Sequence, residues 1–135
     1  MVGFYLNDEE YALNISDVRE IIRAGRWTRV PNAPAHVKGV INLRGRIIPV
    51  VDLKTRMGLG ESTPTKNARI LVVESGGRTL GLLADGVSQV LRLPAGGVEA
   101  APEEVSSAER GFIRGVGKIG GRLVILLDLA RTMNN

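Results

Sequence analysis

Side chains able to do acid–base chemistry are few in this chain and lie far apart. His36 is the single histidine among 135 residues. It stands between Ala35 and Val37, directly after Pro31-Asn-Ala-Pro34, and no serine, cysteine or second carboxylate accompanies it at the spacing of a nucleophile and its base. A turn or surface role suits it better than catalysis. Asp52 and Asp128 hold matching places in a repeat described below, which suggests a carboxylate pair. Each also ends an apolar strand just before a turn, where an aspartate accepts local backbone N–H bonds, and that reading is the stronger. Gly115-Val-Gly117 and Gly120-Gly121 open no helix and carry no lysine–serine partner, so the parts of a phosphate loop are missing. The chain has no cysteine, which excludes disulfides and thiolate metal sites. With no catalytic constellation, metal set or cofactor motif, the expectation is a binding module that uses apolar grooves and the basic positions beside them.

Charge raises a competing reading. Eighteen lysines and arginines against 14 acidic residues give a net charge of +4, and the isoelectric point is near 10.0. A basic β-barrel that binds nucleic acid is therefore the alternative. Distribution weakens it: Asp17 and Glu20 interrupt the loose stretch Arg19, Arg23, Arg26 and Arg29, while Arg44 and Arg46 stand apart. Aromatic rings set among basic residues would be needed to stack bases, and Trp27 is the nearest candidate. No nucleic acid is expected as a partner.

The elements that must position these residues come from a repeat. The segment from Val37 to Leu53 lies over that from Ile113 to Leu129 without a gap, matching Gly39 with Gly115, Val40 with Val116, Gly45-Arg46 with Gly121-Arg122 and Asp52-Leu53 with Asp128-Leu129. Upstream, Phe4 to Val18 resembles Leu71 to Val87. Two diverged copies follow, about 1–64 and 65–135, within a single domain spanning 1–135. Hairpin signals flank Asn7 to Glu10 and Ser75 to Arg78, the second with Gly76-Gly77, and two more tight turns fall at Gly45-Arg46 and Gly120-Gly121-Arg122. The runs after those last two turns alternate poorly, as strands do when both faces are buried. One helical turn is expected at about 16–19, bending the chain into a strand from Glu20 to Ala24. A turn-rich linker spans 58–67, and an acidic loop from Ala95 to Arg110 lengthens the second copy. Four or five short strands per copy bury their faces only by curling, so an all-β pair of small barrels is predicted.

Hydrophobic residues at 44% and charged residues at 24% are those of a globular domain. Mean hydropathy is +0.06, and apolar runs such as Ile47 to Val51 are too short to cross a bilayer. With no signal peptide evident and no cysteine, a cytoplasmic location without membrane insertion is expected.

Val18-Arg-Glu-Ile-Ile22, Val30-Pro31, Ala33-Pro34, the whole stretch Val37 to Leu53 with its Asn42-Leu-Arg-Gly45 and Pro49-Val-Val-Asp-Leu53, and Gly81-Leu-Leu-Ala-Asp-Gly-Val87 together resemble the CheW family of bacterial chemotaxis coupling proteins. The resemblance covers essentially the whole chain. It implies two tandem five-stranded Src-homology-3-like β-barrels, with room for strand exchange across a pseudo-twofold. It also implies a non-enzymatic adaptor that joins the cytoplasmic tips of methyl-accepting chemoreceptors to the regulatory domain of the histidine kinase CheA, recruited to membrane-associated arrays. Carried over by position, Val18, Glu20, Ile21 and Arg44 fall at the receptor contact, and Lys38, Gly39 and Arg44 at positions tied to kinase coupling. Val18 and Ile21 would line an apolar groove for a receptor helix, with the planar Arg44 fork at its rim.

Overall fold

A computed structural model of the chain describes residues 1–61, 65–90, 98–99 and 111–133. In chain order the elements are β1 (Val2–Leu6), β2 (Glu9–Leu13), a 3-10 turn (Ile15–Asp17), β3 (Val18–Arg23), β4 (Val37–Leu43), β5 (Arg46–Asp52) and α1 (Leu53–Arg56). Then follow β6 (Arg69–Ser75), β7 (Arg78–Ala84), β8 (Gly86–Val90), β9 (Val98–Glu99), β10 (Ile113–Ile119), β11 (Arg122–Leu127) and α2 (Leu129–Met133). Four hairpins carry the pattern, and three close through two residues with positive φ: Arg44-Gly45 at 51° and 86°, Gly76-Gly77 at 60° and 77°, Gly120-Gly121 at 57° and 78°. That geometry matches the natural twist of paired strands. The first hairpin turns on Asn7-Asp8, two residues rather than the four expected. The helical turn falls a residue earlier than expected, and β3 begins at Val18 instead of Glu20. Most of the expected acidic loop at 95–110 lies outside the described residues.

One sheet runs β8-β1-β2-β11-β10-β9 and the other β3-β6-β7-β5-β4. Each draws on both halves of the chain. Hairpin β1–β2 leaves the first half to pair in parallel with β11, Tyr11 beside Ile125, and hairpin β6–β7 leaves the second half to pair in parallel with β5, Gly81 beside Val50. The two exchanges correspond under the repeat, and so do the irregularities: β4 and β10 both shift register at Gly39 and Gly115, and β3 and β8 both shift against their neighbours.

Exchange explains the unbroken apolar runs. In β6, Leu71 and Val73 join the largest core cluster, which also takes Phe4, Leu6, Tyr11 and Leu13 from the other sheet, while Ile70 and Val72 face a separate cluster inside their own sheet. Both faces of the exchanged hairpins are therefore buried, and the main core is the seam between the sheets. Leu82 is fully buried there, and truncating such a side chain to alanine costs about 2–5 kcal/mol. The five-stranded sheet curls on itself: Thr28, just beyond β3, bridges Val40 of β4, its opposite edge strand, and Ile22, Trp27, Ile41 and Leu43 from the two edges pack on one cluster with Ile48 and Val50.

Candidate functional site

Curling brings the two edges of the five-stranded sheet together at one rim. Glu20 stands in β3 and Arg44 at the β4–β5 turn, 24 residues apart in sequence. The guanidinium donates through Nη1 to Glu20 Oε1 at 3.2 Å and through Nη2 to Oε2, a planar two-point pairing. Arg44 is 71% exposed on its side chain and Glu20 29%. The hydrogen bond from Arg44 holds the Glu20 carboxyl below the usual carboxylate range, and the same bond raises Arg44. Arg44 is also one of the few non-glycine residues with positive φ. The matching position in the second copy is Gly120, which takes that conformation without strain. The turn does not require an arginine, so its side chain has another use. Asn42 Oδ1 accepts from Gly45 N at 2.8 Å and holds the turn in shape.

Around this pair lies a depression of about 340 Å³, lined by Glu20, Leu43, Arg44, Arg46, Ile48 and Glu74. Ile21 on β3 is 41% exposed, and Ile47, beside the turn, is 65% exposed. The sequence reading placed Ile47 in a run with both faces buried; the structure corrects this, because the strand reaches the core only from Ile48 onward. Its counterpart in the repeat, Leu123, is likewise 52% exposed, so both copies present an apolar side chain just after the turn. Arg46 donates to Thr79 at 3.0 Å, and its match Arg122 lies 2.9 Å from the buried Glu10.

The remaining expected residues are placed differently. Val18 is half-buried against the main core. Lys38 and Gly39 lie at the far end of β4, about 20 Å of strand from Arg44. Gly39 is buried, and a Cβ there would sit 2.3 Å from the Thr28 carbonyl oxygen. Lys38 Nζ reaches Glu61 at 2.6 Å and the fully buried Asp52 at 3.6 Å. Asp52 accepts from Lys54 N at 3.1 Å and from Thr55 Oγ1 at 3.0 Å, capping α1, and Asp128 likewise accepts from Arg131 N at 3.2 Å near the start of α2. Both aspartates thus serve local backbone, at helix starts instead of plain turns. His36 is half-buried, and burial first, then the charge of Arg56, lowers its pKa from 6.5. Among the described residues no three His, Cys, Asp or Glu side chains converge as a metal site. The rim can therefore offer a paired, oriented guanidinium beside apolar side chains, which is equipment for recognition.

A family model described as a CheW-like domain matches residues 1–135. A relative named "Chemotaxis protein CheW" from Rhizobium meliloti is 40% identical over 129 residues, covering 96% of this chain and 83% of its own. Another of that name from Klebsiella aerogenes is 36% identical over 132 residues, covering 98% and 80%. Among solved structures, the scaffolding protein TtCheW from Thermoanaerobacter tengcongensis superposes with a TM-score of 0.88 at 35% identity, covering 99% of this chain and 86% of that one.

Proposed function

The chain belongs to the CheW-like domain family, and from that membership we infer that it is a chemotaxis adaptor, a scaffold on which signalling proteins assemble. Its fold is the all-β pair of Src-homology-3-like units found in that family. The reading extends to partners: the cytoplasmic tip of a methyl-accepting chemoreceptor on one side and the regulatory domain of the histidine kinase CheA on the other, within arrays at the cytoplasmic face of the membrane. Among the described residues no helix is long and apolar enough to cross a membrane. The adaptor acts without catalysis of its own. We read the repeat as two copies of about 1–64 and 65–135 that exchange their hairpins.

The observation that carries the site assignment is the Arg44–Glu20 pair, set at a left-handed arginine on the rim of the curled sheet, with Ile21 exposed on the other face of β3. On this reading Val18, Glu20, Ile21 and Arg44 form the receptor side, an apolar strip with a charged rim suited to a receptor helix. Arg44, Lys38 and Gly39 serve coupling to the kinase. The nucleic-acid alternative draws no support, since Arg19, Arg44, Arg122 and Arg131 each face a carboxylate. Co-sedimentation with receptor-bearing membranes and kinase tests the assignment. The chain should carry kinase into the pellet, and an Arg44→Ala variant should leave it in the supernatant. Failure of the unaltered chain to recruit kinase overturns the adaptor reading; normal recruitment by Arg44→Ala removes Arg44 from the site.

A further inference from the structure

The adaptor reading gives Lys38 a part in kinase coupling, and the inference here rests on that reading while changing the part. We propose that Lys38 is a positioning residue: it acts on the coupling face by neutralising the buried Asp52 and fastening β4, and it does not touch the kinase. Its side chain is only 16% exposed, and its ammonium is committed to Asp52 at 3.6 Å and Glu61 at 2.6 Å. Three segments meet at that nitrogen: β4, the start of α1 and the stretch after α1. β4 is the strand that ends at the Arg44 turn, so fastening one end fixes where the other presents its guanidinium.

The second copy shows that the corner between strand and helix does not need this arrangement. Asp128, the match of Asp52, is 28% exposed and takes its cation from Arg131, three residues on, at 3.7 Å. Arg114, the match of Lys38, is exposed. The same corner therefore forms without burying a carboxylate, so the burial in the first copy is not demanded by the strand-to-helix corner itself. Beside the buried pair lies a depression of about 630 Å³, bordered by Lys38 and Glu61 and walled by Trp27, Val30 and Ala35 of the β3–β4 connection. Asp52 is 0% exposed, and taking away a cation held beside a buried carboxylate is costly, so loss of Lys38 should disturb this end of the sheet.

The test is a cycle in the full chain: Lys38→Met, Asp52→Asn and the two together, each measured for melting temperature and for affinity toward intact CheA. Lys38→Met should lower the melting temperature by about 10 °C and weaken kinase binding roughly tenfold. Adding Asp52→Asn removes the buried charge and keeps a good helix cap, so the double variant should recover both properties. If Lys38→Met fails to fold, recovery of fold and affinity in the double variant makes the same point. A double variant that regains its melting temperature yet binds as weakly as Lys38→Met would place Lys38 in the contact and overturn the proposal. An unchanged melting temperature in Lys38→Met would overturn it from the other side. If the unaltered chain does not bind CheA at all, the adaptor reading falls and the kinase role of Lys38 with it, whereas the melting temperatures still decide whether Lys38 holds Asp52.

Discussion

Arg44 pays a conformational cost that Gly120, its counterpart, avoids, and this sets a prediction at the scale of one residue. Arg44→Gly should melt at the same temperature or slightly higher, because it relieves a left-handed arginine, and should still lose receptor–kinase co-sedimentation. A large loss of stability would instead make the arginine a structural part of the turn. Glu20 ionises more readily than a free carboxylate because Arg44 donates to it. A group with a lowered folded pKa keeps its contribution above its unfolded value and loses it as pH falls through the folded one. Receptor assembly measured from pH 8 to about 5 should therefore be flat with respect to this pair. His36 has the same sign in a different window: burial and Arg56 disfavour its protonation, so stability should decline as pH drops below 6.5. Denaturant melts of His36→Gln should lack that part of the slope between pH 7 and about 5. Arg44 and Glu20 were both legible through family resemblance, but their pairing was not. No periodicity links residues on strands at opposite edges of a sheet until the sheet curls.

At the scale of elements, the turns were the most legible feature, because Gly76-Gly77 and Gly120-Gly121 have few other uses between apolar runs. Gly39 was legible as a glycine of consequence from the repeat and the family resemblance, and the physical reason lies in packing. It sits at the register shift in β4, where the backbone of Thr28 passes over it and exchanges two hydrogen bonds with Val40, at 2.8 and 2.9 Å. Gly39→Ala should drive those strands apart and cost about 1–3 kcal/mol in denaturant unfolding. Gly25→Ala is the matched control, since nothing lies within 4 Å of a Cβ there, and it should be neutral or slightly stabilising. Equal effects for the two glycines would contradict the close approach at Gly39. Ile47 was misread because a β strand emerging from a turn looks the same in sequence whether its first apolar residue faces core or solvent. Ile47→Ser should shift stability by less than about 0.5 kcal/mol while weakening partner binding, measured by melting and co-sedimentation.

For the molecule as a whole, sequence self-similarity revealed two copies but not which strands would pair. Hairpin signals are local, and the parallel pairs β2–β11 and β5–β7 join segments that share no turn. The main core lies at the seam, with Phe4 and Leu13 from one sheet against Leu71 and Val73 from the other. Neither half alone completes a sheet. Fragments 1–64 and 65–135 expressed separately should be unfolded by circular dichroism, and mixing them should restore native strand signal; independent folding of either fragment would refute the dependence. The exchanged hairpins also bear on synthesis. Tyr11 finds its partner only when Ile125 has been made, a wait of roughly ten seconds at ordinary translation rates. During that interval the emerging chain displays the apolar edge of β2 to its surroundings. Ribosome-bound chains ending before β11 should remain protease-sensitive at their N-terminal hairpin, and a cell making this adaptor would need to shelter that edge until the last strand arrives.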